Sequence, residues 1–484
     1  PQGDRERLLQ ALAETYGIKR LSADLRVLGR LPHLLRSRQG SVTATVWNRK
    51  EIVAVEAGVV DRLLGMAFDV GTTTVVGYLL DLMTGEELSV QSDLNPQIAF
   101  GDNVISRISL CQENPEAIDW LRSAMVDCMN GLIERAASEA QIEPGRIAEA
   151  TVAGNTAMHH LLLGLDPRYL VVAPYLPALS EQQSFKARDL GLSLGASAYV
   201  HVLPNKAGFV GGDAVACVLA AGMHRKRAHA LLIDLGTNGE IVLGNKDRLL
   251  CCSTAAGPAF EGGHIKWGMR AASGAIERIE VDPETFEVKV KTVHNAPPVG
   301  LCGSGVISAA ARMIRAGVIL CRGNFSDAVR SERLREGSDG PEFVLVWSGQ
   351  GGVEEDIVFT SKDVSELQMA KAAVHAGAAL LGEQFESAYP ERVLLAGAGG
   401  NYVDPADALA IDLFPGASAG SITAVGNAAG YGACLALLDR RKRREAQRVA
   451  ARMEYKELAG DPRFQELFVQ SMFFTRALDY RSDF

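Results

Sequence analysis

The sequence predicts an α/β protein built from two related halves, and three observations point to it. "AFDVGTTTVVGYLLD" (67–81) and "LIDLGTNGEIVLG" (232–244) each run as apolar strand, Asp-x-Gly-Thr turn and apolar strand. Each half later returns to an apolar strand that feeds a glycine-rich helix start, at "ATVAGNTAMHH" and at "VLLAGAGGN". Glycine is abundant (49 of 484 residues) and aromatics are only 6%, the balance of a chain that makes many tight turns against small side chains.

The elements follow in order. "DRERLLQALAETYG" reads as a helix ended by Gly17, and "SADLRVLGRLPHLLRSR" as two short helices broken near Gly29 and Pro32. "SVTATVWNRKEIVAVEAG" alternates like a hairpin, with Val42 to Trp47 on one arm and Glu51 to Val55 on the other. These make a small α+β domain over residues 1–64. The first Asp-x-Gly-Thr hairpin extends into a meander through the Thr84–Gly85 turn, and helices follow across 115–140. "YVHVLPNKAGFVGGDAVACVLAAGM" reads as strand, loop and helix. The second hairpin then opens the second half, with helical patterns at 303–318 and 363–388 and a last strand-to-helix step at "ITAVGNAAGYGACLALLD". The expected domains are 1–64, 65–230 and 231–484.

Composition narrows the partners. Lysine plus arginine is 49 against 58 aspartate plus glutamate, a net charge of -9, which disfavours nucleic acid. No run approaches ~18 uninterrupted apolar residues, so no membrane helix is expected. The eight cysteines (111, 128, 217, 251, 252, 302, 321, 434) form no close C-x-x-C set and read as buried free thiols in a reducing, cytoplasmic compartment. The chain begins at proline, as a fragment or a processed chain would.

The glycine loops carry the chemistry. Gly71 with Thr72, Thr73 and Thr74 puts backbone N–H groups and hydroxyls on a tight curve, a nest suited to phosphate oxygens. Gly236, Thr237, Asn238 and Gly239 repeat it. Asp69 and Asp234 would repel bare phosphate, so they are expected to face a hydrated divalent cation or to polarise a water. Gly397, Gly399 and Gly400 let backbone approach a base or ribose closely. "GLCGSGVISAA" either faces ligand or caps its helix, and Glu261 in "AAGPAFEGG" is a candidate to orient water or ribose. No G-x-x-x-x-G-K-[ST] occurs, nor G-x-G-x-x-G after a first strand. His159 and His160 are adjacent on a helix, so they do not chelate together.

This ordered set of loops resembles the superfamily of actin, Hsp70 and the acetate and sugar kinases. "DVGTTTVVGYLLDL", "AGNTAMHHLLLG", "GGDAVA", "LLIDLGTNGEI", "AAGPAFEGG", "LCGSG", "LAGAGGN" and "GNAAG" together resemble, more narrowly, the reductive activators of corrinoid proteins, over about 66–478, with 1–64 similar to that family's middle domain. The resemblance implies duplicated actin/Hsp70/sugar-kinase-like α/β domains around a nucleotide cleft, preceded by the small α+β domain. It implies ATP with Mg2+, used to help reduce Co(II) corrinoid to Co(I) in a methyltransferase system. Asp69, Thr72, Thr73 and Thr74 then match the first phosphate motif. Asp234, Gly236, Thr237 and Asn238 match the second, and Gly397, Gly399, Gly400 and Asn401 the adenosine motif. Asp69 and Asp234 are the expected metal ligands and water-orienting groups. Family members usually begin with a [2Fe–2S] ferredoxin-like domain held by four cysteines. This sequence lacks the C-x4-C-x2-C spacing, so the cluster is expected only in a missing N-terminal domain, served by its own electron donor. The expected partner is a corrinoid protein, and a homodimer is among the expected assemblies. The alternatives are a small-molecule kinase of the same fold and a nucleotide-gated scaffold.

Overall fold

The computed structural model describes residues 2–37, 41–385, 390–397 and 403–475. The chain forms two compact units, one of residues up to Ala216 with Ala429–Ala450, the other of Cys217–Ala428 with the chain from Ala451 on.

The first unit begins with the small α+β domain. Helix Asp4–Tyr16 ends where Gly17 turns left-handed at φ 63°, as a glycine after a helix readily does. The segment expected to break into two helices is a single one, Leu25–Ser37, with Pro32 inside it. Proline removes one helical hydrogen bond, but buried Val27 and Leu31 hold the helix to a shared core with Leu8, Leu12 and Ile52, and packing overrides local propensity. Strands β1 (Ser22–Ala23), β2 (Val42–Trp47) and β3 (Glu51–Ala57) form a sheet in the order β1-β3-β2.

Six strands make the large sheet of this unit: β4 (Leu64–Val70), β5 (Thr74–Asp81), β6 (Glu87–Leu94), β7 (Ile147–Gly154), β8 (Gln183–Lys186) and β9 (Tyr199–Val202). Their order is β6-β5-β4-β7-β9-β8. β4 lies at the centre, antiparallel to β5 and parallel to β7. Leu64 to Phe68 are buried without a break, as is Val70, the pattern of a strand covered on both faces. Helix Ala117–Glu139 lays Leu121, Met125, Met129, Leu132 and Ala136 into that core, along with helix Val104–Glu113, which the sequence pattern did not reveal.

The second unit repeats the plan. β10 (Ala230–Leu235), β11 (Gly239–Gly244) and β12 (Leu249–Thr254) form its meander. Two three-stranded accessory sheets follow, from β13 (Ala275–Val281), β14 (Val288–Thr292) and β15 (Gly300–Leu301), and from β16 (Leu334–Gly337), β17 (Gly340–Val346) and β18 (Ile357–Thr360). β19 (Arg392–Ala396), β20 (Ile422–Gly426) and β21 (Met453–Tyr455) complete the large sheet in the order β20-β19-β10-β11-β12-β21. Read from the meander side, β6-β5-β4-β7-β9 and β12-β11-β10-β19-β20 are the same arrangement, with the same parallel and antiparallel neighbours around the central strand. The duplication expected from the sequence is thus a duplication of sheet topology. Helix Ser361–Glu383 covers β11 and β12 with Leu367, Val374, Ala378 and Leu381.

Candidate functional site

The repeated topology puts the two aspartates in matching places. Asp69 lies on the central strand opposite Val76 of β5 and Ala153 of β7. Asp234 lies on its own central strand opposite Glu240 of β11 and Ala396 of β19. Each sits next to the last residue of the strand, just before a three-residue turn: Gly71–Thr73 in the first hairpin, Gly236–Asn238 in the second. Each parallel neighbour also ends in an alanine followed by glycine, Ala153-Gly154 and Ala396-Gly397.

In the first unit the turn is held from behind. Asn95 Nδ2 donates to the Gly71 carbonyl at 2.9 Å, Arg107 Nη2 to that of Thr72 at 2.7 Å, and the Asn95 backbone N–H to that of Thr73 at 2.9 Å. Asn155 caps helix Thr156–Leu163 through the Met158 N–H and donates from Nδ2 to the Thr72 hydroxyl at 3.0 Å. Gly211 packs so closely on the Asn155 backbone that a Cβ there would overlap it. Arg107, Asn95 and Gln97 are fully buried. Sequence reasoning missed all three. A signal existed: Arg107 falls on the helix face of Val104, Ile108 and Cys111, all buried, and a cation on an apolar stripe calls for a dedicated partner.

In the second unit the turn is wrapped by the "AAGPAFEGG" segment. Glu261 Oε1 accepts from the Thr237 backbone N–H at 3.0 Å and Oε2 from its hydroxyl at 3.3 Å, while the Gly257 N–H donates to the Thr237 carbonyl at 3.0 Å. Cys217 Sγ donates to Asp234 Oδ2 at 3.5 Å. Burial, with a smaller contribution from the nearby Glu261 charge, pushes the Asp234 carboxyl up to about 6, against the opposing Cys217 contact. Gly397 has φ +88°, and a Cβ on it would stand 2.5 Å from Asp234 Oδ1 and 2.7 Å from the Leu235 carbonyl. The first glycine of the expected adenosine motif therefore lies against the second aspartate. Gly399, Gly400 and Asn401 fall outside the described residues.

Other expectations resolve differently. Gly303 and Gly305 are buried, and a Cβ on either would overlap the Phe260 or Ile276 carbonyl. Close packing of helix Gly303–Arg315 on its neighbours accounts for "LCGSG". His159 and His160 are both buried. His160 bonds the Thr156 carbonyl and accepts from the Ala178 N–H, and burial pushes the His159 imidazole down to about 3. All eight cysteines are free thiols, six of them buried. No described helix is long and apolar enough to cross a membrane.

Three family models match in sequence along the chain: "RACo linker region" over 1–62, "RACo middle region" over 64–226, and "C-terminal domain of RACo the ASKHA domain" over 228–481. The chain belongs to the RACo family. The linker match covers the small N-terminal domain, which the sequence alone likened to a middle domain, and the middle match lies on the sheet of β4–β9. This RACo chain is 40% identical to a solved structure described as a reductive activator for corrinoid, iron–sulfur protein, with a TM-score of 0.90, covering 98% of this chain and 76% of that one. It is 37% identical over 421 residues to the corrinoid activation enzyme RamQ of Eubacterium limosum, 85% of this chain and 70% of RamQ. It is 24% identical over 383 residues to a [Co(II) methylated amine-specific corrinoid protein] reductase of Methanosarcina barkeri, 73% and 66% of the two chains.

Proposed function

We infer that this RACo chain carries out the ATP-dependent reductive activation of a corrinoid protein. The observation that carries the reading is the match of three successive RACo models to a fold in which the same Asp-x-Gly-Thr turn stands on the central strand of two matching sheets.

The residues fit a magnesium nucleotide. Carboxylates and hydroxyls are the hard oxygen donors magnesium takes, and an Asp234 carboxyl pushed up to about 6 by burial gains from a nearby cation. When bound, magnesium offsets the negative charge of the phosphates. The Gly71 N–H closes the turn on the Thr74 carbonyl, and Thr72, Thr73 and Thr74 offer N–H groups and hydroxyls to phosphate oxygens. Gly236, Thr237 and Asn238 offer a second such turn, once Glu261 yields the Thr237 N–H. Asp69 and Asp234 are the groups to hold the metal and orient water, and Gly397, with Gly399, Gly400 and Asn401, the backbone to receive the adenosine.

The eight cysteines do not fit a plant-type cluster, since none stand in C-x4-C-x2-C spacing. Electrons are therefore assigned to a [2Fe–2S] domain outside these residues. The role left to these units is to alter the corrinoid environment so that Co(II) accepts an electron more easily. That requires the corrinoid protein to bind the nucleotide-loaded and nucleotide-free states with different affinity.

The test is ATPase rate against concentration of Co(II) corrinoid protein, beside a binding titration, with chemically supplied low-potential electrons and optical detection of Co(I). A rate that changes with the corrinoid protein, and Co(I) that forms only with ATP, support the reading. A folded corrinoid partner that neither binds nor changes the rate, tried across several methyltransferase systems, overturns it.

A further inference from the structure

The first phosphate turn rests on an unusual support. Arg107 is fully buried. Its guanidinium donates to three neutral oxygens: the Gly101 carbonyl from Nε at 2.9 Å, Gln97 Oε1 from Nη1 at 3.1 Å, and the Thr72 carbonyl from Nη2 at 2.7 Å. The Met158 thioether Sδ lies 3.7 Å from Nη1. Among the described residues no carboxylate comes within ion-pair distance of it, although Asp102 lies near enough to act through space. Buried cations are ordinarily paired, because an unpaired one is costly to remove from water. Gln97 is itself anchored, donating to the Leu121 carbonyl at 2.8 Å and receiving Asn95 Nδ2 at 3.4 Å. Asn95 and Arg107 together accept no freedom from the turn: the carbonyls of Gly71, Thr72 and Thr73 are all bonded to them. In a trans peptide the N–H points opposite to the C=O, so pinning three successive carbonyls on one side directs the intervening peptide N–H groups to the other.

Resting on the nucleotide reading above, we propose that Arg107 and Asn95 are positioning residues for polyphosphate: they orient the Gly71–Thr74 peptides, and the buried guanidinium places a positive charge directly behind the turn that receives the phosphates. Neither side chain touches the nucleotide in this role. Arg107 acts through the Thr72 peptide and through its field, which is felt strongly in a site of low polarity. Beyond the through-space effect of Asp102, its counter-charge arrives with the ligand.

The consequence is selective for phosphate. Adenosine has none, so its binding is indifferent to Arg107, whereas ADP and ATP depend on it. Calorimetric titration of adenosine, ADP and Mg-ATP into the wild-type chain, Arg107→Gln, Arg107→Lys and Asn95→Ala tests this, with circular dichroism and melting to establish folding. Arg107→Gln should leave adenosine affinity within about two-fold and weaken ATP about ten-fold or more, with ADP between them; Arg107→Lys, which keeps the charge, should recover part of the loss. Equal ATP affinity in folded Arg107→Gln overturns the proposal, and so does an equal loss for adenosine and ATP, which a merely structural arginine would give. Should Arg107→Gln fail to fold, Asn95→Ala decides: weakened ATP with unchanged adenosine supports the proposal, and unchanged ATP overturns it. A wild-type chain that binds no ATP removes the nucleotide reading, and this inference with it.

Discussion

Asp234→Asn should make the ligand-free protein more stable at pH 8 while abolishing most nucleotide turnover. The Asp234 carboxyl is moved from 3.8 to about 6, chiefly by burial. The native state therefore holds a proton that the unfolded chain has already lost, and this favours folding fully below about pH 4. The advantage is lost as pH rises from there through 6, where the native carboxyl also ionises. A shift of this size corresponds to roughly 3 kcal/mol between the two ends of the window, at 1.36 kcal/mol per unit. Asp234 keeps partial solvent access, which reduces the figure to about 1–3 kcal/mol. Asparagine preserves the shape and stays neutral, so its advantage over aspartate should be full above about pH 7 and vanish near pH 4. Urea unfolding of both proteins between pH 4 and 8, without nucleotide, measures it, and ATP hydrolysis on the same samples gives the functional arm. A variant less stable than wild type at pH 8, or a difference that does not change with pH, would refute the burial argument. Unchanged hydrolysis would remove Asp234 from the catalytic set.

Three more outcomes follow from particular contacts. Glu261→Gln removes the negative neighbour of Asp234, so the acid limb of the ATPase pH profile should move to lower pH by under about one unit; an upward or absent shift would separate the two carboxylates. Gly397→Ala forces a side chain into φ +88° and against Asp234 Oδ1, which should cost about 1–3 kcal/mol and raise the KM for ATP, both readable from melting and steady-state kinetics. Glu149 accepts two bonds from buried Arg443, at 2.6 and 2.8 Å, and one from Trp47 Nε1 at 2.7 Å; Glu149→Ala leaves that guanidinium unpaired and should destabilise the first unit by about 3–5 kcal/mol, seen as a lowered melting temperature.

What could be read from the sequence was what depends on local pattern. The two hairpins, the strand-to-helix step at Asn155, the strand that runs up to Gly397, and the small N-terminal domain all announce themselves through apolar runs and turn residues within about twenty positions. The accessory strands β13–β18 did not, because their alternation is short and mixed with charge, as in "VKVKT" and "LREG". Pro32 misled because its cost is local while the burial of Val27 and Leu31 that outweighs it is tertiary. At the candidate site the residues on the turns were found and those behind them were not. Asn95 and Arg107 lie 24 and 35 positions from the carbonyls of Gly71 and Thr72 that they hold, and no spacing rule links such pairs. Glu261 was noticed as a polar residue among small ones, but its engagement with Thr237 depends on how "AAGPAFEGG" folds back over the turn.

The duplication is one of backbone, and the electrostatics of the two copies have diverged. The same central strand, aspartate and three-residue turn occur twice. Behind the first turn stands a buried guanidinium that bonds its carbonyls. Over the second lies a carboxylate that bonds its N–H and hydroxyl and adds to the charge around Asp234. A turn backed by a cation has part of the charge of its own aspartate offset. A turn filled by a carboxylate beside a second carboxylate attracts cations, and receives an anion only after its own acid has moved or been neutralised. The first copy, where Arg107 offsets the charge of Asp69, is therefore better suited to phosphate in the resting protein than the second, where Glu261 adds to the charge of Asp234. The second copy then has a built-in dependence on order, because Glu261 gives up Thr237 more readily once a cation has reduced the negative charge it shares with Asp234. On this argument, phosphate contacts at Gly236–Asn238 depend on a divalent cation more strongly than those at Gly71–Thr74.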